Sequence, residues 1–318
     1  MSALMHEALE IGQFVTRGGD PVAIILRTKP FYNGRARAVT VRTELGEELV
    51  IKVWDADVPE SGPASFLDCS VKEWAGSTEL QAQGARALSE EEAAEYPWID
   101  QFLPFSRARQ EDQEADIEEA SSIVRETVAM FEDGRDFPGV DFTKVAHVLI
   151  TEWEELQRAN RTAPAARGHH HAFPGGLAFH TLSMLKLSKT LSAFYADRYG
   201  NKVRELDMSV VTLAILCHDS LKPLEYKPTE GWQYGQEFSP FGKEIGHLVG
   251  SAMGVVQVLS RLGADVVEDA RARNLVHCIL AHHGKLEWGS PVTPQTPEAQ
   301  FVHHLDYMDS QFDKFMRT

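Results

Sequence analysis

Residues 210–219 read VVTLAILCHD, an almost unbroken apolar run that ends in the pair His218–Asp219. The apolar part, Val210 to Cys217, predicts a buried helix. A carboxylate that directly follows such a helix lies near the protein interior, where an unpaired charge costs several kcal/mol or more. We therefore expect Asp219 to be paired with a cation or bound to a metal.

Apolar residues recur at helical spacing from residue 111 to the end of the chain. Two stripes with spacings of three and four are Ile117, Ala120, Val124, Val128 and Phe131, and then Phe142, Val145, Leu149, Trp153 and Leu156. Further helices are predicted over residues 176–199, 207–218, 244–262, 264–283 and 296–315. No comparably strong strand pattern follows Glu111, so this part of the chain is predicted to be all-α.

The first 90 residues alternate instead with a period of two, which is the pattern of strands. Val39 and Val41 share one face of a predicted strand, while Thr40 and Arg42 share the other. Several short strands within so few residues indicate a small barrel.

The length and composition fit two globular domains. The chain has 318 residues, of which 43% are apolar and 25% are charged. Such a chain suits one large or two ordinary domains with substantial cores. The predicted organisation is α+β and multidomain, with a small β-barrel over residues 1–90, a linker over 91–110 and an all-α domain over 111–318.

The charge is distributed unevenly along the chain. The formal net charge is −16, which by itself argues against a polyanionic partner. Residues 17–52, however, contain seven Lys or Arg against four Asp or Glu, whereas residues 55–155 contain seven against 25. The acidic excess therefore lies in the middle of the chain and does not exclude a nucleic acid at either end.

Neither a membrane segment nor a disulfide framework is indicated. No apolar run reaches the roughly 20 residues that span a bilayer, and residues 1–10 lack the pattern of a signal peptide. Three cysteines without CxxC spacing argue against disulfides and thiolate zinc sites. We expect a cytoplasmic protein with no membrane partner.

Four residues combine metal-ligand chemistry with an apolar setting. His180 lies on one helical stripe with Met184 and Leu187, and Asp306 lies between Leu305 and Tyr307. Together with the pair at the end of the apolar run, the set is His180, His218, Asp219 and Asp306. Imidazole nitrogens and carboxylate oxygens suit Mn, Fe, Zn or Ni better than an all-oxygen magnesium site. For any single histidine, the alternative is a hydrogen-bonded core residue.

Five segments resemble motifs of the HD superfamily of metal-dependent phosphohydrolases. They are GGLAFHTLSML (Gly175–Leu185), CHDSLK (Cys217–Lys222), GHLVG (Gly246–Gly250), AHHGKLEWGSP (Ala281–Pro291) and HLDYMD (His304–Asp309). Their order is similar to that of the YhaM-type 3′-5′ exoribonucleases, in which an oligonucleotide-binding (OB) barrel precedes the HD domain. HHAFPGG at His170–Gly176 is also similar to this family, and Arg42–Asp57 resembles a barrel hairpin. The resemblance therefore implies an OB-like fold for the predicted barrel.

The resemblance also implies the ligands. His180, His218, Asp219 and Asp306 match the metal ligands of the H…HD…D set, and His247, His282 and His283 match the additional histidines of HD proteins that hold two metals. His283 has an alternative role at a helix C-terminus, because Gly284 follows it. The implied cofactor is one or two divalent ions per chain. Manganese is expected, with Fe, Ni, Zn or Mg as alternatives.

The resemblance further implies groups that act on a phosphate. Lys222 matches the lysine of the HDxGK pattern, although Leu221 replaces its glycine. The expected catalytic residues are Asp219, Lys222, His170 and His171. Lys222 and the two histidines are candidates either for contacting the phosphate or for protonating the leaving oxygen. His303, His304 and Asp309 are expected around the ligands or on the surface, and His169 in a loop.

The N-terminal domain carries residue types that bind single-stranded nucleic acids. Basic side chains in a groove contact the backbone, and aromatic rings stack on the bases. The expected basic residues are Arg35, Arg37, Arg42 and Lys52, and the expected rings are Phe31, Tyr32 and Trp54. The alternative is that these rings belong to the core of the barrel.

Three functions follow from these features. The first is a metal-dependent 3′-5′ exonuclease that acts on single-stranded RNA, or also on DNA, and releases nucleoside monophosphates. The second is a phosphohydrolase of mononucleotides, cyclic nucleotides or other small phosphate esters. The third is a nucleic-acid-binding adaptor without catalysis. The oligomeric state is left open, with a homo-oligomer among the expected partners.

Overall fold

The computed structural model describes residues 20–44, 48–59, 62–74, 77–96, 98–99, 108–161, 163–166, 170–171, 175–200, 205–227 and 238–316. The described residues up to 99 belong to one compact unit, and those from 108 onward belong to a second unit. His169 lies outside the described residues. The domain limits inferred from the sequence remain a prediction.

The first unit is a seven-stranded sheet. Its strands are β1 (Val22–Phe31), β2 (Ala36–Arg42), β3 (Glu48–Val53), β4 (Gly62–Leu67), β5 (Ser70–Trp74), β6 (Ser77–Ala82) and β7 (Gly84–Ala87). They lie in the order β5-β6-β3-β2-β1-β4-β7, with neighbours antiparallel except for the parallel pair β3 and β6. The OB-like N-terminal β-domain and the α+β class are confirmed. The sheet is open, however, because closure requires its two edge strands to pair, and β5 and β7 do not.

The alternation seen in the sequence sets the core of this sheet. Val39 pairs with Ile51 and Val41 with Leu49, and all four side chains are buried in the same cluster. Strand β1 changes its alternation midway, because Leu26 is an extra residue between the pairs Ile25–Val41 and Arg27–Thr40. Beyond this bulge, the odd-numbered residues of β1 lie on the outer face instead of the core face.

The second unit is helical. A short helix α1 (Glu90–Ala93) still belongs to the first unit, and the second contains α2 (Ala108–Glu132), α3 (Phe142–Ala159), α4 (Gly176–Tyr199), α5 (Met208–Cys217), α6 (Lys222–Glu225), α7 (Pro240–Glu244), α8 (Gly246–Arg261), α9 (Ala270–Ala281) and α10 (Pro297–Met316). None of the described helices is both long and apolar enough to cross a membrane.

Helix α5, the apolar run of the sequence, lies at the centre of the second unit. Every residue from Ser209 to Cys217 is buried, and α5 packs against α2, α3, α4, α8, α9 and α10. Because its sides are covered by other helices, its C-terminal end leads into the interior. His218 and Asp219 therefore lie where the other helices converge.

Helix α9 is shorter than its periodicity predicts. The sequence predicts a helix from residue 264, but α9 begins at Ala270. The preceding turn forms because the Asp265 carboxylate accepts the backbone N–H of Val267, and Asp269 caps the helix by accepting the N–H groups of Arg271 and Ala272. Local side-chain hydrogen bonds thus replace the first turns of the predicted helix.

A partly buried arginine joins three helices of this unit. Arg271 on α9 donates to Glu132 at the end of α2 at 2.6 Å and to Asp207, the N-cap of α5, at 2.7 Å. Its guanidinium also lies over the rings of Phe137 and Phe142. These contacts fix the N-terminal end of α5.

We expect Arg271→Ala to lower the free energy of unfolding by about 2 to 3 kcal/mol, since it leaves two partly buried carboxylates without their cationic partner. The measurement is urea unfolding followed by circular dichroism. Arg261→Ala is the control, because Arg261 pairs with Glu152 on the surface, and we expect a loss of at most about 1 kcal/mol. Equal losses for the two variants would contradict this role of Arg271.

Candidate metal centre

Five helices bring histidines and carboxylates together at one cavity of about 600 Å³. Asp219, Asp306, His247, His282 and His283 line this cavity, while His180 and His218 are buried and are not among its lining residues. His180 lies on α4, and Asp306 lies on α10. The helices α5 and α9 each end immediately before a histidine, His218 and His282. His247 lies in the first turn of α8. All of the ligand residues expected from the sequence are therefore in the second unit and close together.

Among the described residues, the histidines and carboxylates form four overlapping groups of three, two of which have no residue in common. The first of these two consists of His180, His218 and Asp306, and the second of His247, His282 and His283; within each group, the ligand atoms lie within 4.8 Å of one another. In the first group, His180 Nε2 is 3.2 Å from Asp306 Oδ1. Each group is the size of a coordination site for one ion.

Asp219 lies between the two groups. Its Oδ2 is 3.3 Å from His218 Nε2, while its Oδ1 is 3.2 Å from His247 Nε2 and 3.6 Å from His282 Nε2. The carboxylate thus presents one oxygen to each group. This position is that of a ligand shared by two ions.

The opposite nitrogen of each ring is held by a hydrogen bond. Three rings donate Nδ1–H to backbone carbonyls, which can only accept: His218 to Ile215 at 2.7 Å, His282 to Ile279 at 2.7 Å and His283 to Trp288 at 2.9 Å. In these rings the proton is therefore on Nδ1, and in the neutral form Nε2 keeps its lone pair for a metal.

Two further rings are held by carboxylates. His180 Nδ1 is 2.7 Å from Asp309 Oδ2, and His247 Nδ1 is 2.9 Å from Glu225 Oε2. Glu225 also accepts the backbone N–H of His247. Carboxylates in this position orient a metal-ligating imidazole and raise its basicity.

The atoms that make none of these hydrogen bonds are suitable ligands for a divalent ion. Nε2 of His180, His218 and His247 and Oδ1 of Asp219 are buried without a hydrogen-bond partner. A single buried polar atom of this kind is costly, and here four belong to one cluster of neighbouring side chains. The mixed nitrogen and oxygen donors suit a first-row divalent metal.

The electrostatics of the centre favour a bound cation. Burial by itself would raise the pKa of Asp219, but Lys222, His218 and His247 hold it well below its usual range. Burial lowers the pKa of His282 far below its usual value, so this ring is neutral at pH 7. For His180, burial is outweighed by Asp306 and Asp309, which raise its pKa to about 9. A cation on His180 Nε2 must therefore displace a proton.

Lys222 lies beside the shared carboxylate. Its buried ammonium is 2.6 Å from Asp219 Oδ2, and its side chain also lines the cavity. The replacement of glycine by Leu221 is tolerated because Leu221 has a φ of −94°, which any residue adopts, and its backbone N–H donates to Ser251. The lysine of the HDxGK pattern, Lys222, is thus present beside Asp219, although Leu221 precedes it instead of glycine.

The two histidines that precede α4 differ in position. His170 lines the cavity, with its ring centroid 4.8 Å from that of His180. His171 is buried outside the cavity lining, and its backbone N–H donates to Asp313 at 2.7 Å. The His171 backbone packs closely against the start of α4. Glycine at position 176 permits this contact, because a Cβ there would lie 2.1 Å from the His171 carbonyl oxygen. Of the two, only His170 is placed to contact a substrate.

In the first unit, the three expected rings form a cluster. Phe31, Tyr32 and Trp54 have ring centroids 5.7 to 6.4 Å apart, and Tyr32 and Trp54 are 60% and 40% exposed. The Lys52 ammonium lies 5.1 Å from the Phe31 centroid and also pairs with Glu79. The rings lie outside the core of the sheet, which settles the alternative left open by the sequence.

The expected arginines do not line one groove with these rings. Arg37 lies on the same face of β2 as Val39, and Arg42 lies on the opposite face. Arg42 also pairs with Glu48 at 2.9 Å. Arg35 lies in the turn before β2. The expectation of a single basic groove was wrong, because residues an odd number of positions apart in a strand point to opposite faces.

Several cavity residues were missed in the sequence. Glu225 reaches His247 because α6 carries it on the same face as Lys222, three residues earlier, but α6 is too short to have a periodic signal. The rings of Trp288, Tyr307, Tyr226 and Phe238 also line the cavity. Ring pairs of this kind form between distant segments, so no local pattern indicates them.

We expect Asp309→Ala to weaken manganese binding by roughly 10- to 100-fold, because the acceptor that orients His180 is lost. Asp309→Asn keeps a hydrogen-bond acceptor and should lose less. The measurement is titration calorimetry with Mn²⁺ at constant pH. Unchanged affinity in the alanine variant would show that Asp309 does not orient a ligand.

Comparisons with known proteins agree with this geometry. Residues 177–311 match the family model of the HD domain. The 3′-5′ exoribonuclease YhaM of Bacillus subtilis is 26% identical over 99% of this chain and 90% of its own length, and that of a Geobacillus species is 26% identical over 90% and 79%. The YhaM protein of Listeria welshimeri is 35% identical over 47% of this chain and 43% of its own length. No solved structure matches the chain.

Proposed function

We propose that this chain, an HD-type protein similar to the YhaM exoribonucleases, is a metal-dependent nuclease that removes nucleotides from the 3′ end of single-stranded RNA. The observation that carries the proposal is the pair of ligand groups with Asp219 between them, next to one cavity. The similarity to relatives that are named 3′-5′ exoribonucleases extends along most of the chain and supports the choice of RNA.

We assign one ion to His180, His218 and Asp306 and a second ion to His247, His282 and His283, with Asp219 as the shared ligand. Manganese is the proposed metal, since it accepts both imidazole and carboxylate ligands. Divalent ions bound there would supply a hydroxide nucleophile at neutral pH and neutralise charge on the phosphate.

The protein's own side chains have separate tasks in this proposal. Asp309 and Glu225 orient the ligand rings of His180 and His247 through their Nδ1 atoms. Lys222 uses one N–H on Asp219 and has further N–H groups for a phosphate oxygen. Burial lowers the pKa of His170 to about 2, so this neutral ring suits a hydrogen bond to the phosphate rather than protonation of the leaving oxygen.

We expect the wild-type protein with Mn²⁺ to shorten a 5′-end-labelled single-stranded RNA from its 3′ end and to release nucleoside monophosphates. His218→Ala and Asp219→Ala should each reduce trimming to the background rate, because each removes a proposed ligand. The measurement is a time course on a denaturing gel, with metal content determined in parallel. His304→Ala, an exposed histidine on α10 outside the cavity, is the control.

The result of this assay separates the proposed activity from its rivals. Wild-type rates in both ligand variants would overturn the site. Hydrolysis of small phosphate esters with an untouched RNA would indicate the phosphohydrolase instead. Tight RNA binding without hydrolysis of either substrate would indicate an adaptor. A DNA oligomer of the same sequence tests whether the activity extends to DNA.

We further propose that the ring cluster of the first unit, Phe31, Tyr32 and Trp54, binds bases of the RNA with Lys52 beside it. Exposed rings next to a cation are typical of surfaces that bind single strands without reading their sequence. The ammonium of Lys52 contributes less than a free lysine would, because it already pairs with Glu79.

We expect Tyr32→Ala and Trp54→Ala each to weaken RNA binding roughly 5- to 150-fold, which is the usual effect of losing one stacking ring. Fluorescence anisotropy in the presence of a chelator measures binding without cleavage. Leu26→Ala is the control, because Leu26 is an exposed apolar residue of the same sheet at the β1 bulge. Equal affinities for all of these proteins would exclude the cluster as an RNA site.

A further inference from the structure

We infer that Trp288 and Tyr307 form a stacking platform for a base at the 3′ end of the RNA. The two rings line the cavity together with the second ligand group and with Asp306 of the first. This inference rests on the proposed nuclease function and names the part of the substrate that the cavity recognises. It makes the base, and not only the phosphate and sugar, a determinant of cleavage.

The first argument is the shape and exposure of the ring pair. The planes of Trp288 and Tyr307 are almost parallel, at 6°, and their centroids are 5.7 Å apart. The two residues are 42% and 44% exposed. The two rings stack on each other at the cavity wall and keep part of their surface exposed, instead of filling the core. Every base presents a π-face that can stack on such a surface.

The second argument is that the platform is attached to the metal ligands. The Trp288 carbonyl accepts the Nδ1–H of His283, while His303 Nδ1 donates to the His282 carbonyl at 2.8 Å. The His303 ring lies 6.3 Å from Trp288 and 6.2 Å from Tyr307. The platform thus has a defined position relative to the ions, as a positioning surface requires.

The turn between these residues is tightly packed. Gly284 has a φ of +81°, and a Cβ at this position would lie 2.2 Å from the His303 ring. Glycine therefore lets the turn after α9 approach α10. This packing holds Trp288, on the turn, next to Tyr307, on the helix.

The third argument is electrostatic. The cavity lining contains the carboxylates of Asp219, Glu225 and Asp306, and the whole chain carries a net charge of −16. Coulombic attraction outside the bound ions is thus a poor source of affinity for RNA. Stacking does not depend on the charge of the protein. The Lys285 ammonium lies over the Trp288 ring, 4.1 Å from its centroid; Lys285 is exposed, and a base that stacks on this face of the ring replaces it.

The experiment combines a protein change with a substrate change. Removal of the first nucleotide is measured in Mn²⁺ for two RNAs: an intact strand and a strand whose last two nucleotides are abasic. For the wild type, we expect kcat/KM to be roughly 5- to 150-fold lower on the abasic strand. Trp288→Ala should lower kcat/KM on the intact strand by a similar factor and leave the abasic strand almost unaffected.

Controls separate stacking from a damaged site. Trp288→Phe keeps a ring and the same backbone and should retain most of the discrimination. Tyr195→Ala removes a ring from another exposed stacked pair, Tyr195 and Tyr199, which does not line the cavity, and should behave as the wild type. Thermal unfolding and Mn²⁺ titration of Trp288→Ala should match the wild type.

The two proposals fail in different ways. If the wild type trims neither strand, the nuclease function is wrong and the platform has no substrate. If the wild type trims RNA but Trp288→Ala still distinguishes the intact from the abasic strand as the wild type does, the platform is wrong and the nuclease stands. Equal wild-type rates on the two strands would also overturn the platform.

Discussion

The burial of the Asp219 carboxylate is the constraint on which the rest of the helical unit depends. Helix α5 is covered by its neighbours, so the residue that follows His218 cannot reach bulk water. An ionised group in that position is stable only with cationic or metal partners nearby. Lys222 supplies a cationic partner from α6, and the rings of His247 on α8 and His282 after α9 lie 3.2 and 3.6 Å from the same carboxylate. The positions of these helices are therefore linked through a single carboxylate.

The same local arrangement orients two of the imidazoles. The last carbonyls of a helix have no N–H partner within the helix. His218 and His282 follow the last residues of α5 and α9, and each donates Nδ1–H to the carbonyl three residues earlier. One hydrogen bond thus completes the helix end and directs Nε2 towards Asp219. A histidine at the end of a buried helix is accordingly oriented by the backbone, without help from another side chain.

The sequence predicts the centre better than its surroundings. His180 and Asp306 stand out because a polar group interrupts an apolar stripe, and that signal is local. The histidines of the second group come from resemblance to a family. Trp288 and Tyr307 lie in segments that resemble motifs of that family, but no periodic pattern assigns them, or Glu225, to the site. In the sheet, the alternation predicts the core pairs, but the bulge at Leu26 changes which face β1 presents. Features that depend on one inserted residue or on distant segments are not visible in a periodic pattern.

The bulge of β1 lets one strand serve two surfaces. Ile25 faces the sheet core before the bulge, whereas Ile24 packs in a second cluster with Leu88. After it, Phe31 stands on the outer face with Lys52 and Trp54. Deleting a single residue there would restore strict alternation and rotate the second half of the strand by half a turn about its axis. A one-residue insertion or deletion in this strand would therefore move the following side chains to the opposite face of the sheet, in addition to changing the length of the strand.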